Sequence, residues 1–110
     1  MALPERAALI WCPFPDEQSA REAAGEMLDR KLIACANILS PMTSLFVWEG
    51  TRDESLEVGV LFKTLEPHLS AAMAALESLH PYDTPAITGW CADAAAPATL
   101  AWLAEVVHAS

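Results

Sequence analysis

The 110-residue chain has no long apolar run, few cations, four glycines and no paired-cysteine motif. Each shortage removes a class of protein. Although 54% of the residues are hydrophobic, 21 of the 110 are alanines, and no stretch approaches the ~18 to 20 apolar residues that cross a bilayer. Residues 1–6 carry neither the basic start nor the apolar core of a signal peptide, so a cytoplasmic protein without a membrane partner is expected. Six Lys and Arg against 15 Asp and Glu give a formal charge of −9. Phosphate backbones need clustered cations, and only Arg30 and Lys31 are adjacent, so no nucleic-acid partner is expected. Cys12, Cys35 and Cys91 are odd in number and lack CxxC spacing, which argues against a disulfide framework or a closed structural zinc site. GxSxG, GxxxxGK[ST], HExxH and GxGxxG motifs are all missing, and no enzymatic activity is expected.

What is present is a regular alternation of strand and helix signals within the size of a single domain, taken as residues 1–110. Residues 7–12 form a short apolar run ended by Pro13 and Pro15, a buried strand. Ala20, Ala23, Ala24, Met27 and Leu28 then fall on one helical face, with Asp16 or Ser19 as the cap and the end near Lys31. Residues 33–48 are apolar and β-prone, broken only by Ser40-Pro41, and Glu49-Gly50 supplies a turn. In residues 56–63 the period of two places Leu56, Val58, Val60 and Phe62 on one face. Together these runs predict a long hairpin. Pro67 opens a second helix that His80-Pro81 closes, residues 86–91 form a further strand, and Pro97 starts a last helix.

The order βαββαβ plus a C-terminal helix predicts an α+β, ferredoxin-like sandwich with both crossover helices on one face of the sheet. Leu45-Phe46-Val47-Trp48 and Val60-Leu61-Phe62 are apolar at consecutive positions and therefore present apolar side chains to both faces. A monomer would leave that hairpin exposed, and burial against other copies of the chain is the simplest cover.

Several residues carry two readings. His80, where a helix stops, can complement the helix dipole or act as a ligand. Cys12 and Cys35 can be small buried hydrophobes, or soft ligands for copper or zinc if they converge with His80. Lys63 is either a solvated strand guard or a ligand-binding cation, and Trp48 a packing aromatic or a stacking platform.

Cys35 after Leu32-Ile33-Ala34, then Ser44-Leu45-Phe46-Val47-Trp48-Glu49-Gly50, Glu57-Val58, Lys63-Thr64, His80-Pro81-Tyr82 with Pro85, and Trp102 resemble the CutA divalent-ion tolerance family from about Leu9 to Leu103. The resemblance implies a ferredoxin-like subunit in a tight homotrimer, a cytoplasmic location, and a role in tolerance to copper and other divalent metal ions. No cofactor required for folding is implied. The trimer would resemble that of PII signalling proteins, so Trp48, Lys63 and Tyr82 are expected to line a small-ligand cleft between subunits. Cys12 and His80 match the family's candidate copper-contacting positions, and Cys35 lies in the same motif set. Leu79 stands where some members carry a second histidine, Phe46 and Thr99 replace usual tyrosines, and Ala86 replaces a usual glutamate. A Cys12→Ser, His80→Ala variant is expected to lose copper while keeping its melting behaviour.

Overall fold

A computed structural model describes residues 5–109. The elements run β1 (Ala7–Phe14), α1 (Glu17–Asp29), β2 (Cys35–Trp48), β3 (Thr51–Leu65), a 3-10 turn (Glu66–His68), α2 (Leu69–Leu79), β4 (Thr88–Cys91) and α3 (Pro97–Val107). They build a four-stranded antiparallel sheet in the order β2-β3-β1-β4, the ferredoxin-like order, so β2 and β4 are its edges.

Side chains alternate across this sheet. Ile10, Cys12 and Phe14 of β1 and Val58, Val60 and Phe62 of β3 point to one face, where Ala20, Ala23, Ala24 and Met27 of α1 and Ala72 and Leu76 of α2 close over them. The many alanines let both helices lie close to the strands. Asp16 caps α1, its Oδ1 accepting the Ser19 N–H at 2.7 Å. The last helix crosses to the other face and packs Leu103 and Val107 against Ala7, Ala34 and Leu65, covering only one end.

Three details differ from the sequence reading. β1 does not stop at Cys12 but continues through Pro13 to Phe14, which is fully buried. The backbone of odd-numbered β1 residues faces β4, since the Ala7 carbonyl accepts from Ala92, while the Arg6 carbonyl serves the β3 side. Pro13 therefore turns its missing N–H toward β4, and that ladder ends at Thr88, opposite Trp11, instead of starting at Ala86. Secondly, the chain takes a 3-10 turn at Pro67 before α2 begins at Leu69. Thirdly, Leu56 is 71% exposed although Val58, Val60 and Phe62 on its face are buried, because the β2–β3 ladder runs on past the helical layer.

That protruding ladder is pinned by a two-residue turn. Trp48 pairs with Thr51, and Glu49 and Gly50 both have positive φ, as a right-twisted hairpin requires. Leu45 and Val47 on one face, and Phe46 and Trp48 on the other, are all exposed. Nearer the core, the register shifts between Ile38 and Pro41, so Leu39 and Ser40 bulge opposite Gly59.

Candidate functional site

The candidate site grows from the Pro13 carbonyl, the group left over where the β1–β4 ladder stops. A fully buried carbonyl without a partner costs roughly 1 to 3 kcal/mol, and the half-buried Pro13 would bear part of that. Here His80 satisfies it: Nε2–H donates to Pro13 O at 2.8 Å, and the Cys12 thiol also reaches that oxygen at 3.6 Å. A carbonyl only accepts, so the proton of neutral His80 sits on Nε2 and Nδ1 carries the lone pair. That lone pair accepts the Tyr82 N–H at 3.1 Å. The imidazole stacks on Phe14 with ring centroids 4.3 Å apart and lies near Tyr82 at 4.8 Å. Burial pushes the His80 pKa below its ordinary value, opposed by the Pro13 bond and by the charge of Glu57. Burial also raises the Cys12 thiol to about 12, with Glu57 adding to the effect.

Beyond His80, the Tyr82 hydroxyl donates to Glu57 Oε2 at 2.9 Å. Glu57 sits on β3 with only 9% of its surface exposed. Burial, and next the Glu57 carboxylate, lift the Tyr82 pKa to about 12. Glu57, Tyr82, Phe46 and Trp48 border a cleft of about 1050 Å³ between the hairpin and the α2–β4 loop. Among the described residues, its charged lining is Glu49, Glu57 and Asp83, with no Lys or Arg.

The residues singled out in the sequence thus fall into separate places. Cys12 and His80 meet at one carbonyl. Cys35 does not join them: it pairs with Lys63 whereas Cys12 pairs with Val60, three positions along β3 and on the opposite face. Its thiol lies 3.6 Å from Asn37 Oδ1. Trp48 and Tyr82 share the cleft, but Lys63 is twelve residues from Thr51, the partner of Trp48, or ~40 Å along the strand. Only another copy of the chain could bring Lys63 to Trp48. Among the described residues, no three His, Cys, Asp or Glu side chains converge on one metal position. The sequence does not single out Glu57 as a site residue; its one signal is a carboxylate in an apolar strand without a partner in that strand.

Comparison with known proteins decides the family. The model of the CutA1 divalent ion tolerance protein family matches residues 8–106. The chain belongs to the CutA family. The divalent-cation tolerance protein CutA of Citrobacter koseri is 41% identical over 85 residues, which span 77% of this chain and 73% of that protein. Among solved structures, CutA1 of Ehrlichia chaffeensis superposes with a TM-score of 0.89 at 31% identity, covering 94% of this chain and 96% of the other. The CutA of Archaeoglobus fulgidus, described as a periplasmic divalent cation tolerance protein, gives 0.86 at 29% identity, covering 92% and 98%. The ferredoxin-like fold is therefore that of CutA proteins, and tolerance to divalent cations is the family's assigned role. No helix among the described residues is long and apolar enough to cross a membrane.

Proposed function

We propose that this CutA chain acts as a cytoplasmic, non-enzymatic homotrimer that contributes to divalent-cation tolerance and binds copper, or a similar soft divalent ion, weakly at Cys12 and His80. The observation that carries the metal reading is the convergence of the Cys12 thiol and the His80 imidazole on the Pro13 carbonyl. A thiol and an imidazole suit copper or zinc and suit magnesium or calcium poorly. Affinity is held down by the same geometry. Both His80 nitrogens are engaged, and raising the thiol from 9.0 to about 12 is roughly a thousand-fold, or ~4 kcal/mol, handicap to the thiolate that a metal needs. Cys35 would contribute only from another copy or at a separate contact.

The trimer is supported by the hairpin, whose Leu45, Val47, Trp48 and Leu56 remain 55–71% exposed on one chain. The unpaired apolar edge of β2 is a surface that another copy can cover. Anaerobic Cu(I) titration of the reduced protein, with sedimentation velocity on the same sample, tests both parts. Copper binding unchanged by Cys12→Ser would remove the metal assignment, and a micromolar monomer would remove the trimer. Fractionation of the host cell tests the cytoplasmic placement.

The cleft bordered by Trp48, Tyr82 and Glu57 favours a second reading, a PII-like trimer that binds a small molecule. On one chain its charge suits a neutral or cationic ligand; an anion would need Lys63 from a neighbouring copy. A thermal-shift screen containing both ligand classes separates these cases.

A further inference from the structure

Two of the chain's three histidines meet far from the Cys12–His80 corner. His68 ends the 3-10 turn and His108 caps the C-terminus of α3. His68 Nε2 lies 3.3 Å from His108 Nδ1, with ring centroids 5.1 Å apart. The other nitrogen of His108, Nε2, is 2.8 Å from Glu5 Oε2. An ionised carboxylate can only accept, so in the neutral imidazole this contact places the His108 proton on Nε2 and leaves the Nδ1 lone pair on the side of His68.

This spacing fits a shared ion. Two nitrogens each ~2.05 Å from one tetrahedral metal are ~3.3 Å apart, so a pair that hydrogen-bonds at 3.3 Å without an ion already has the separation that one requires. The carboxylate behind the second nitrogen is the usual support of a metal-bound histidine, fixing the tautomer and raising ligand basicity. The positions are also held in advance. Val107 beside His108 and Leu65 three residues before His68 are both buried in the cluster that fastens α3 to the sheet.

We propose that His68 and His108 form a second, two-histidine metal site for an ion of the zinc–copper class, with Glu5 as a positioning residue. With two protein ligands, solvent completes the coordination shell. Binding there would fasten the end of α3 to the turn that precedes α2. The site uses neither Cys12 nor His80, so it stands or falls apart from the function proposed above.

The test is calorimetric titration with Zn²⁺ of the reduced protein in a Cys12→Ser, His80→Gln background, which silences the first corner. Zinc binding should persist there and fall at least ~100-fold with His68→Ala or His108→Ala. Glu5→Gln should weaken it ~10-fold, the lower end of the effect expected for a supporting partner. In the parent, nitrogen NMR should show zinc shifting His108 Nδ1 and His68 Nε2 while Mg²⁺ moves neither. All three substitutions are on the surface and leave the buried packing in place. Zinc affinity unchanged by His68→Ala and His108→Ala, absence of zinc binding in the silenced background, or shifts confined to His80 would each overturn the proposal.

Discussion

Replacing His80 by alanine should destabilise the protein whether or not a metal is present. The imidazole is 7% exposed and makes three contacts that alanine cannot: the bond to Pro13 O, the bond from Tyr82 N–H and the stack on Phe14. Each hydrogen bond contributes ~1 kcal/mol net and the stack ~0.5 to 1.5 kcal/mol, while an orphaned Pro13 carbonyl adds part of its desolvation cost. Together the loss is ~3 to 4 kcal/mol, or a melting temperature roughly 15 °C lower for a subunit of this size. His80→Gln keeps an N–H donor of similar reach and should lose less than half as much. This revises the expectation that a Cys12→Ser, His80→Ala variant keeps its melting behaviour, and makes glutamine the better substitution for isolating the metal. The assay is urea unfolding at fixed protein concentration on metal-free samples, followed by tryptophan fluorescence. Unfolding of His80→Ala within ~0.5 kcal/mol of the parent, or a cost of His80→Gln equal to that of His80→Ala, would refute this role of the imidazole.

Leu45→Glu or Val47→Glu should break the proposed trimer with little effect on the subunit's own core, because both side chains are exposed on one chain; sedimentation that still reports a trimer would contradict this. Because the proposed trimer joins only folded subunits, the parent's melting temperature should also rise with protein concentration. Alkaline pH should weaken the fold, since Cys12 and Tyr82 are both raised to about 12 from 9.0 and 10.0. Groups raised by folding stabilise fully below their unfolded values and lose that contribution as pH climbs toward the folded ones, so stability should fall between pH 9 and 12, and Tyr82→Phe should flatten the upper part. The lowered His80 works in the opposite sense, costing stability as pH drops below its ordinary 6.5. Gly59→Ala should cost ~1 to 3 kcal/mol, because a Cβ there would overlap the Trp11 ring that lies across Gly59; a neutral result in urea unfolding would show that Trp11 moves aside freely.

Elements written in local chemistry were legible in the sequence. Asp16 before an alanine-rich helical stripe, Glu49-Gly50 between two apolar runs, and Pro97 ahead of Leu100 and Leu103 each signal their structure over a few residues. The ferredoxin-like order follows from those elements, and the doubly apolar hairpin announced itself as a surface needing cover. The end of β1 did not, because Pro13 reads as a strand breaker unless its backbone is known to face the side where the neighbouring ladder has already run out. Likewise, nothing local says that Glu57 will meet Tyr82, 25 residues away, or that His68 and His108, 40 residues apart, will face each other. Such pairs depend on how three elements converge, and a period of two or 3.6 carries no information about that.

The Pro13 carbonyl links the two functional readings physically. It holds His80 Nε2, His80 Nδ1 holds the Tyr82 backbone, and the Tyr82 hydroxyl holds Glu57 at the border of the cleft. An ion that takes the Nδ1 lone pair must displace the Tyr82 N–H, and one that takes Nε2 must displace the proton given to Pro13. Either way the ion competes with bonds that hold the end of α2 to β1 and the first loop residues to His80, so its net affinity is what remains after they break. By linkage, a molecule in the cleft that holds Tyr82 where its N–H donates to His80 would weaken metal binding at Nδ1 by the same factor that the metal weakens the molecule. On the proposed reading, copper affinity at Cys12 and His80 would depend on the occupancy of the cleft, and the two have to be measured together.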